Sequence, residues 1–374
     1  MLVTFDTNST TTPVSELIAR SVMNRYRPEQ VRWHYEHGLV LYSIYALGKP
    51  AYCQWAKAMY DTLISEDGSI HGYRADEFNL DMINAGKLLF DLYDATGAAR
   101  YRIALETLRA QLKNQPRTQS GGFWHKQIYP HQMWLDGLYM AEPFYARYVQ
   151  AYAQPEGFAD IVHQFVLLAT KARDEKTGLL YHAWDESGRQ PWAHPLTGCS
   201  PHFWGRALGW YCMALVDVLD FIPPDLSEYR SALIGIANSL VEPILHVQDG
   251  KTGLWYQVLD QGEREGNYLE TSASAMFVAF LFKMVRKGYL AHEQQQRVRQ
   301  AAQSGYAGLL SHTVTQDAEG YLHINGICSV AGLGGSPYRD GSFAYYISEK
   351  VVSDDFKGVG PFILAAQEQE KSPA

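Results

Sequence analysis

Apolar and polar positions follow the 3.6-residue period of an amphipathic helix over Gln54–Ile64, Asn84–Thr96, Tyr101–Lys113, Pro143–Gln154, Phe158–Asp174, Ala207–Phe221, Tyr229–His246, Ala273–Lys287 and Gln294–Ser311. Short loops rich in Gly and Asp separate these stretches, and no helix–strand alternation is long enough for a parallel sheet. Segments near Trp33, Asn79, Met133, Trp204, Leu269 and Ser342 share a further flavour: small residues and aromatics around one or two polar groups, opening a helix. They recur roughly every 60 residues, the length of two helices of ~15 residues and two loops. Each hairpin can bury its apolar face only against neighbours, so an all-α ring of six inner helices closed by six outer ones is predicted. The whole chain, 1–374, is expected to form this one domain, with residues 1–25 as a loose N-terminal arm and 368–374 as a flexible tail.

A second repeat is sharper. Asp174-Glu-Lys-Thr177-Gly178-Leu-Leu-Tyr181-His182-Ala-Trp-Asp185 returns 75 residues later as Asp249-Gly-Lys-Thr252-Gly253-Leu-Trp-Tyr256-Gln257-Val-Leu-Asp260. Weaker copies are Gly122-Phe-Trp-His125-Lys126 and Gly320-Tyr-Leu-His323. Each reads as a turn followed by a short extended strand, the Gly taking a backbone conformation other residues resist. Placed between an outer helix and the next inner one, these loops gather at one end of the barrel. His125, Lys126, His182 and Gln257 are then expected to face a common cavity; the alternative is a set of structural hairpins with incidental polar residues.

Composition narrows the function. The 374 residues are 47% hydrophobic and 19% charged, as in a globular chain. No apolar stretch approaches the ~20 residues of a membrane span. The start, Met1-Leu-Val-Thr-Phe-Asp, lacks a basic region before an apolar core, so a cytoplasmic location is expected. Lys plus Arg is 32 against 40 for Asp plus Glu, a net charge of −8 with no basic run, which argues against nucleic acid as a partner. Cys53, Cys199, Cys212 and Cys328 form no CxxC pair and read as reduced thiols. Aromatics are abundant, with Trp 9, Tyr 25 and Phe 15, and serve two common ends: packing between helices and stacking on the apolar C–H face of a sugar.

Motifs for other chemistries fail. Gly332-Leu-Gly334-Gly335 lacks the context of a phosphate loop, Gly341-Ser342-Phe343 is no nucleophile elbow, and HExxH is absent. The 13 histidines show no convincing metal spacing; His34 and His37, near Glu36, lie in an aromatic helix. Carboxylates in apolar surroundings are the better lead. Asp136 sits in His131-Gln-Met-Trp134-Leu-Asp136-Gly-Leu-Tyr139-Met140, where burial is expected to raise its pKa towards that of a general acid. Asp81, in Phe78-Asn-Leu-Asp81-Met-Ile-Asn84-Ala-Gly86, has an equally apolar setting, and the two can share a cavity with separated pKa values. For each the competing role is a helix N-cap. In Trp204-Gly-Arg206-Ala-Leu-Gly209-Trp210, the indole offers a stacking plane and the guanidinium a fork for a carboxylate, unless Arg206 pairs with an internal acid.

Taken with Phe123-Trp-His125-Lys126, Tyr181-His182, Tyr268-Leu-Glu270-Thr-Ser-Ala, Gly334-Gly-Ser-Pro337-Tyr338-Arg339-Asp340-Gly341-Ser342 and Lys357-Gly358-Val-Gly360-Pro361, these motifs run in order from Trp33 to Pro361. The chain thereby resembles the unsaturated rhamnogalacturonyl hydrolases of glycoside hydrolase family 105, and more distantly the unsaturated glucuronyl hydrolases of family 88. The resemblance implies an (α/α)6 barrel. It also implies hydration of the C4=C5 double bond that polysaccharide lyases leave on a uronate, with a small oligosaccharide, unsaturated galacturonyl-rhamnose, as the expected substrate in pectin breakdown. Asp136 then protonates C4 and activates water. Asp81 orients ring hydroxyls or adjusts the charge of Asp136. His125, Lys126, His182, Trp204, Arg206 and Trp210 line the uronate subsite, and Tyr35 and Trp134 add wall. No metal, nucleotide, flavin or other cofactor is implied.

Three other readings share the barrel. An inverting glycosidase would use Asp81 and Asp136 on saturated sugars, with carboxyls roughly 6.5–9.5 Å apart. A sugar epimerase would need a histidine pair flanking the ring, for which His125 and His182 are candidates. A carbohydrate-binding protein would hold sugar in the aromatic cleft without turnover.

Overall fold

The computed structural model describes residues 12–372. In chain order the helices are α1 (Val14–Arg25), α2 (Tyr35–Tyr45), α3 (Pro50–Asp61), α4 (Asp81–Asn84), α5 (Lys87–Thr96), α6 (Ala99–Asn114), α7 (Leu135–Ala151), α8 (Gly157–Ala172), α9 (Gly205–Val218), α10 (Ser227–His246), α11 (Thr271–Arg286), α12 (His292–Thr313), α13 (Phe343–Ser348) and α14 (Phe356–Lys371). Three antiparallel ribbons pair β1 (Gln132–Trp134) with β2 (Ala183–Asp185), β3 (Val314–Gln316) with β4 (Leu322–Ile324), and β5 (Ile327–Cys328) with β6 (Val351–Val352).

The inner ring runs α2, α4 with α5, α7, α9, α11 and α14, and closes by packing α14 against α2. Residues explain the division. In α9 and α11 nearly every side chain is buried, as a helix enclosed on all sides requires. In α12 only a stripe such as Val298, Ala302 and Leu309 is buried, the pattern of an outer helix. Outer helices α3, α6, α8, α10 and α12 alternate with the inner ones along the chain, and α1 packs on α14 to complete the outer layer.

Three expectations need correction. The sixth inner helix does not open near Ser342: that residue caps the short α13, and the ring is closed by α14, opened by Lys357-Gly358-Val-Gly360-Pro361. Residues 14–25 are not a loose arm but the sixth outer helix, while residues 1–11 lie outside the described residues. The tail assigned to 368–374 is helical to Lys371, and Glu368 is buried and paired with Arg286 at 2.6 Å; residues 373–374 again lie outside the described residues.

Pro143 shows why one boundary was misread. Periodicity predicts a helix from Pro143, yet α7 begins at Leu135 and carries Pro143 inside it. The missing N–H of Pro143 would have bonded the Tyr139 carbonyl, which instead accepts the Asn84 Nδ2 proton at 3.1 Å. Asn84→Ala is therefore expected to cost about 1–3 kcal/mol by stranding a buried carbonyl. In a Pro143→Ala background, where the helix supplies its own N–H, the cost should shrink. A double-mutant cycle by urea unfolding reads this coupling, and strict additivity would refute it.

The 75-residue repeat is an atomic repeat. Asp174 Oδ2 accepts from Thr177 N and Oγ1, both at 2.8 Å, and Asp249 Oδ2 accepts from Thr252 N at 2.8 Å and Oγ1 at 2.7 Å. Gly178 and Gly253 both hold φ +75°, and at Gly253 a Cβ would lie 2.5 Å from the Ser304 carbonyl oxygen.

Candidate active site

The loops between outer and inner helices build the site. β1 and β2 pair Met133 with Trp184 and Trp134 with Ala183, and just beyond the ribbon Leu135 N–H donates to the His182 carbonyl at 3.0 Å. That register sets Asp136, second residue of α7, beside His182, the residue before β2. Asp136 Oδ2 lies 3.2 Å from His182 Nε2. The contact is close but misaligned, so neither atom has a hydrogen-bond partner among the described residues. His182 is fully buried, and its Nδ1 is 2.8 Å from the Tyr346 hydroxyl.

Asp81 arrives by a different route. His125 links the two halves of the site through its backbone: its N–H donates to the Gln132 carbonyl at 2.9 Å, and its carbonyl accepts from Leu80 N–H at 3.1 Å. Asp81 opens the one-turn α4, and the Asn79 side chain accepts its N–H at 3.0 Å. Neither Asp81 nor Asp136 caps its helix. Lys126 Nζ lies 2.6 Å from Asp81 Oδ2, and His125 Nε2 lies 3.4 Å from Oδ1. Burial alone would raise the Asp81 carboxyl, but Lys126 and then His125 outweigh it and hold the pKa below the usual carboxylate value. Lys126 is raised in turn, because Asp81 outweighs its desolvation. Burial pushes His125 down to about 4, so it is neutral at neutral pH. The equally apolar setting expected for Asp81 is thus not found: Asp81 is neutralised by a lysine, whereas among the described residues the ion-pair contact of Asp136 is with a histidine.

Aromatic rings join the two carboxylates. Trp134 stacks on His125, at 4.6 Å and 7°, and on Tyr129, at 4.8 Å and 19°, these two rings lying side by side with centroids 6.5 Å apart, and it meets His182 edge-on at 5.3 Å. Trp204 packs on His182 at 4.8 Å and donates its Nε1 proton to Gln257 Oε1 at 3.0 Å. Arg206 is not an open fork. Only 1% exposed, it donates to the Cys328 carbonyl, lies 4.0 Å from Glu270 and sits under Trp204, while its Nε and Nη1 have no partner among the described residues. Trp210 is also enclosed, stacked on Tyr139 at 4.7 Å and meeting the edge of Tyr35 at 6.2 Å, so it backs Tyr35 rather than lining open space. Burial, then the charges of Glu36 and Asp81, keep the Tyr35 phenol protonated.

The structure therefore links Asp81, His125, Lys126, Trp134, Asp136, His182, Trp204 and Arg206 in one run of contacts and adds three side chains that had not been assigned to the site, Arg339 among them although it lies in a quoted motif. Tyr346 positions His182, Tyr129 extends the Trp134 stack, and Arg339 Nη2 donates to the Tyr129 hydroxyl at 2.8 Å. Among the described residues no three His, Cys, Asp or Glu side chains are grouped to hold a metal ion, and no helix is long and apolar enough to cross a membrane.

The profile of Glycosyl Hydrolase Family 88 matches residues 14–372. A solved glycoside hydrolase from family 105 of C. acetobutylicum ATCC 824 is 48% identical, covers 96% of this chain and 99% of its own, and superposes with a TM-score of 0.92. The unsaturated rhamnogalacturonyl hydrolase YesR of Bacillus subtilis is 26% identical over 341 residues, 86% of this chain and 90% of its own length. Protein Atu3128 of Agrobacterium fabrum is 41% identical over 233 residues, 61% of this chain and 97% of its own.

Proposed function

The chain belongs to glycosyl hydrolase family 88, folded as an (α/α)6 barrel, and on that premise we propose that it hydrates the C4=C5 double bond of unsaturated galacturonyl-rhamnose and so releases rhamnose. Its activity is that of an unsaturated glycoside hydrolase. The rhamnogalacturonan substrate rests on the likeness to YesR.

One observation carries the assignment of roles: of two neighbouring carboxylates, Asp81 is locked to Lys126, whereas Asp136 pairs with no lysine or arginine among the described residues, its buried Oδ2 facing His182 while its side chain keeps 13% exposure. A carboxyl held by an ammonium keeps its charge and makes a poor proton donor. An uncommitted one can exchange a proton with substrate. Asp136 delivers its proton to C4, and cationic character develops at C5 and the ring oxygen. The resulting carboxylate then removes a proton from the water that adds at C5. The hemiketal opens to a C5 ketone, and the C1 hemiacetal so exposed collapses to an aldehyde, expelling rhamnose with its oxygen. The Asp81–Lys126 pair, with Asp81 ionised, supplies fixed hydrogen-bonding groups for ring hydroxyls. Tyr129, half-buried and backed by the buried Trp134, is the ring of this stack that can cover a flattened sugar ring.

Ultraviolet absorbance of the conjugated double bond tests this. Loss of the band together with rhamnose release is expected on unsaturated galacturonyl-rhamnose. Rhamnose release with the band intact would mean direct glycosidic cleavage and refute hydration. An unchanged band here, with turnover of another unsaturated uronide, would refute the substrate.

A further inference from the structure

A small cavity lies against His125 and Trp134. It has a volume of about 10 Å³ and is lined by His125, Trp134, Gly137, Glu142 and Gln164 together with apolar side chains. That is about the room one water molecule needs. The polar side chains around it are mostly committed elsewhere. Trp134 Nε1 donates to Gln132 at 3.0 Å. Gln164 accepts from Phe123 N–H at 2.8 Å and donates to Gly121 and Asp160 at 3.1 Å each. Two atoms remain without a partner among the described residues: His125 Nδ1 and Glu142 Oε2. Both belong to side chains at least nine-tenths buried, His125 at 3% exposed and Glu142 at 1%. Gly137 makes the room, since a Cβ there would stand 3.1 Å from His125 Nδ1.

We propose that Glu142, through one enclosed water, holds His125 in the tautomer that presents its Nε2 proton to Asp81, and is therefore a positioning residue for the hydration reaction. The inference rests on the reading of the site as that of an unsaturated uronyl hydrolase.

A neutral His125 carries one ring proton. Its Nε2 faces the ionised Asp81 at 3.4 Å, where a lone pair would oppose a carboxylate oxygen. The proton therefore belongs on Nε2, and Nδ1 must accept. A buried acceptor needs a donor, and the water supplies one, its oxygen accepting in turn from Glu142 and a hydrogen staying free for Nδ1. Glu142 meets this need in its protonated form. Burial first, and the charge of Asp160 second, hold its carboxyl far above the ordinary value, against the opposing pull of Arg117 and Arg109. The chain then runs one way: Glu142 O–H to water, water to His125 Nδ1, His125 Nε2–H to Asp81.

The state of the ring is read without activity. In ¹⁵N imidazole spectra of the wild-type protein at neutral pH, assigned with a His125→Gln variant, Nδ1 of His125 should carry the unprotonated signature; a protonated Nδ1 overturns the proposal. Kinetics supply the second reading. Glu142→Leu should lower kcat on the order of tenfold to a hundredfold, as expected for partners that orient a working histidine, with KM little changed. Glu142→Gln, which keeps a donor, should restore kcat to within about twofold of wild type. Wild-type kcat in Glu142→Leu, or equal losses in both variants, overturns it. If Glu142→Leu does not fold, Glu142→Met serves the same comparison. A wild-type protein that leaves unsaturated uronides untouched would instead refute the functional reading, while the spectrum still reports the tautomer.

Discussion

Asp136→Asn is expected to lower kcat on the unsaturated disaccharide by on the order of 10³–10⁴-fold, the upper part of the range for a general acid–base group, because one carboxyl serves both proton transfers. Substrate affinity, measured by titration calorimetry with the same disaccharide, should change by no more than a few fold, since the amide keeps the shape and leaves Lys126, Tyr129 and Trp134 in place. Stability should hold or rise. Asp136 Oδ2 is buried against His182 without an aligned hydrogen bond, so wild type bears the cost of a poorly satisfied carboxyl that an amide relieves. Lower turnover with undiminished thermal midpoint is the signature of a group held for chemistry rather than for folding. Turnover at the wild-type rate would remove Asp136 from the mechanism. A drop in midpoint alongside the drop in rate would assign it a structural share.

The contrast between Asp136 and Asp81 also marks where sequence reasoning stops. Both were visible as carboxylates among apolar residues, and both lie in the site. Their unlike electrostatics depend on which cation each one meets. Lys126 reaches Asp81 because the His125 backbone bonds both Leu80 and Gln132, a long-range tie that periodicity does not encode. His182 was legible as a loop residue of the 75-residue repeat, and its place beside Asp136 follows from the register of β1 on β2. Its partner Tyr346 is 164 residues away, in a helix of six residues with no amphipathic pattern to read. The same limit explains the closure of the barrel. Regular hairpins revealed the ring, but α14 carries Pro361 inside it and its outer partner α1 comes from the other end of the chain. Arg206 reads locally as a ligand fork; only the fold brings Glu270 and the Cys328 carbonyl against it.

Lys126→Met is expected to destabilise the protein by about 3 kcal/mol at pH 7, the lower end for breaking a buried ion pair, because the side chains of Lys126 and Asp81 keep 22% and 10% exposure. His125 cannot replace the lost cation at that pH, since burial keeps it neutral down to about pH 4. The pH dependence separates charge from packing. In wild type the Asp81 pKa is depressed, so its contribution is present above the unfolded value of ~3.9 and is lost as pH falls through the lower folded value. In the variant the largest opposing charge is gone, so burial outweighs what His125 and His34 still contribute and raises the same carboxyl. Folding then favours the protonated form, and stability falls as pH rises from ~3.9 through the new folded value. Loss of Lys126 also eases protonation of His125, which works in the same direction. The gap between variant and wild type in urea unfolding should therefore be widest at neutral pH and shrink towards pH 4, and an equal gap at both values would mean that Lys126 acts through packing alone. Activity should follow the same charge: if an ionised Asp81 orients the ring hydroxyls, the acid limb of kcat/KM in the variant moves to higher pH as the raised carboxyl takes up its proton earlier.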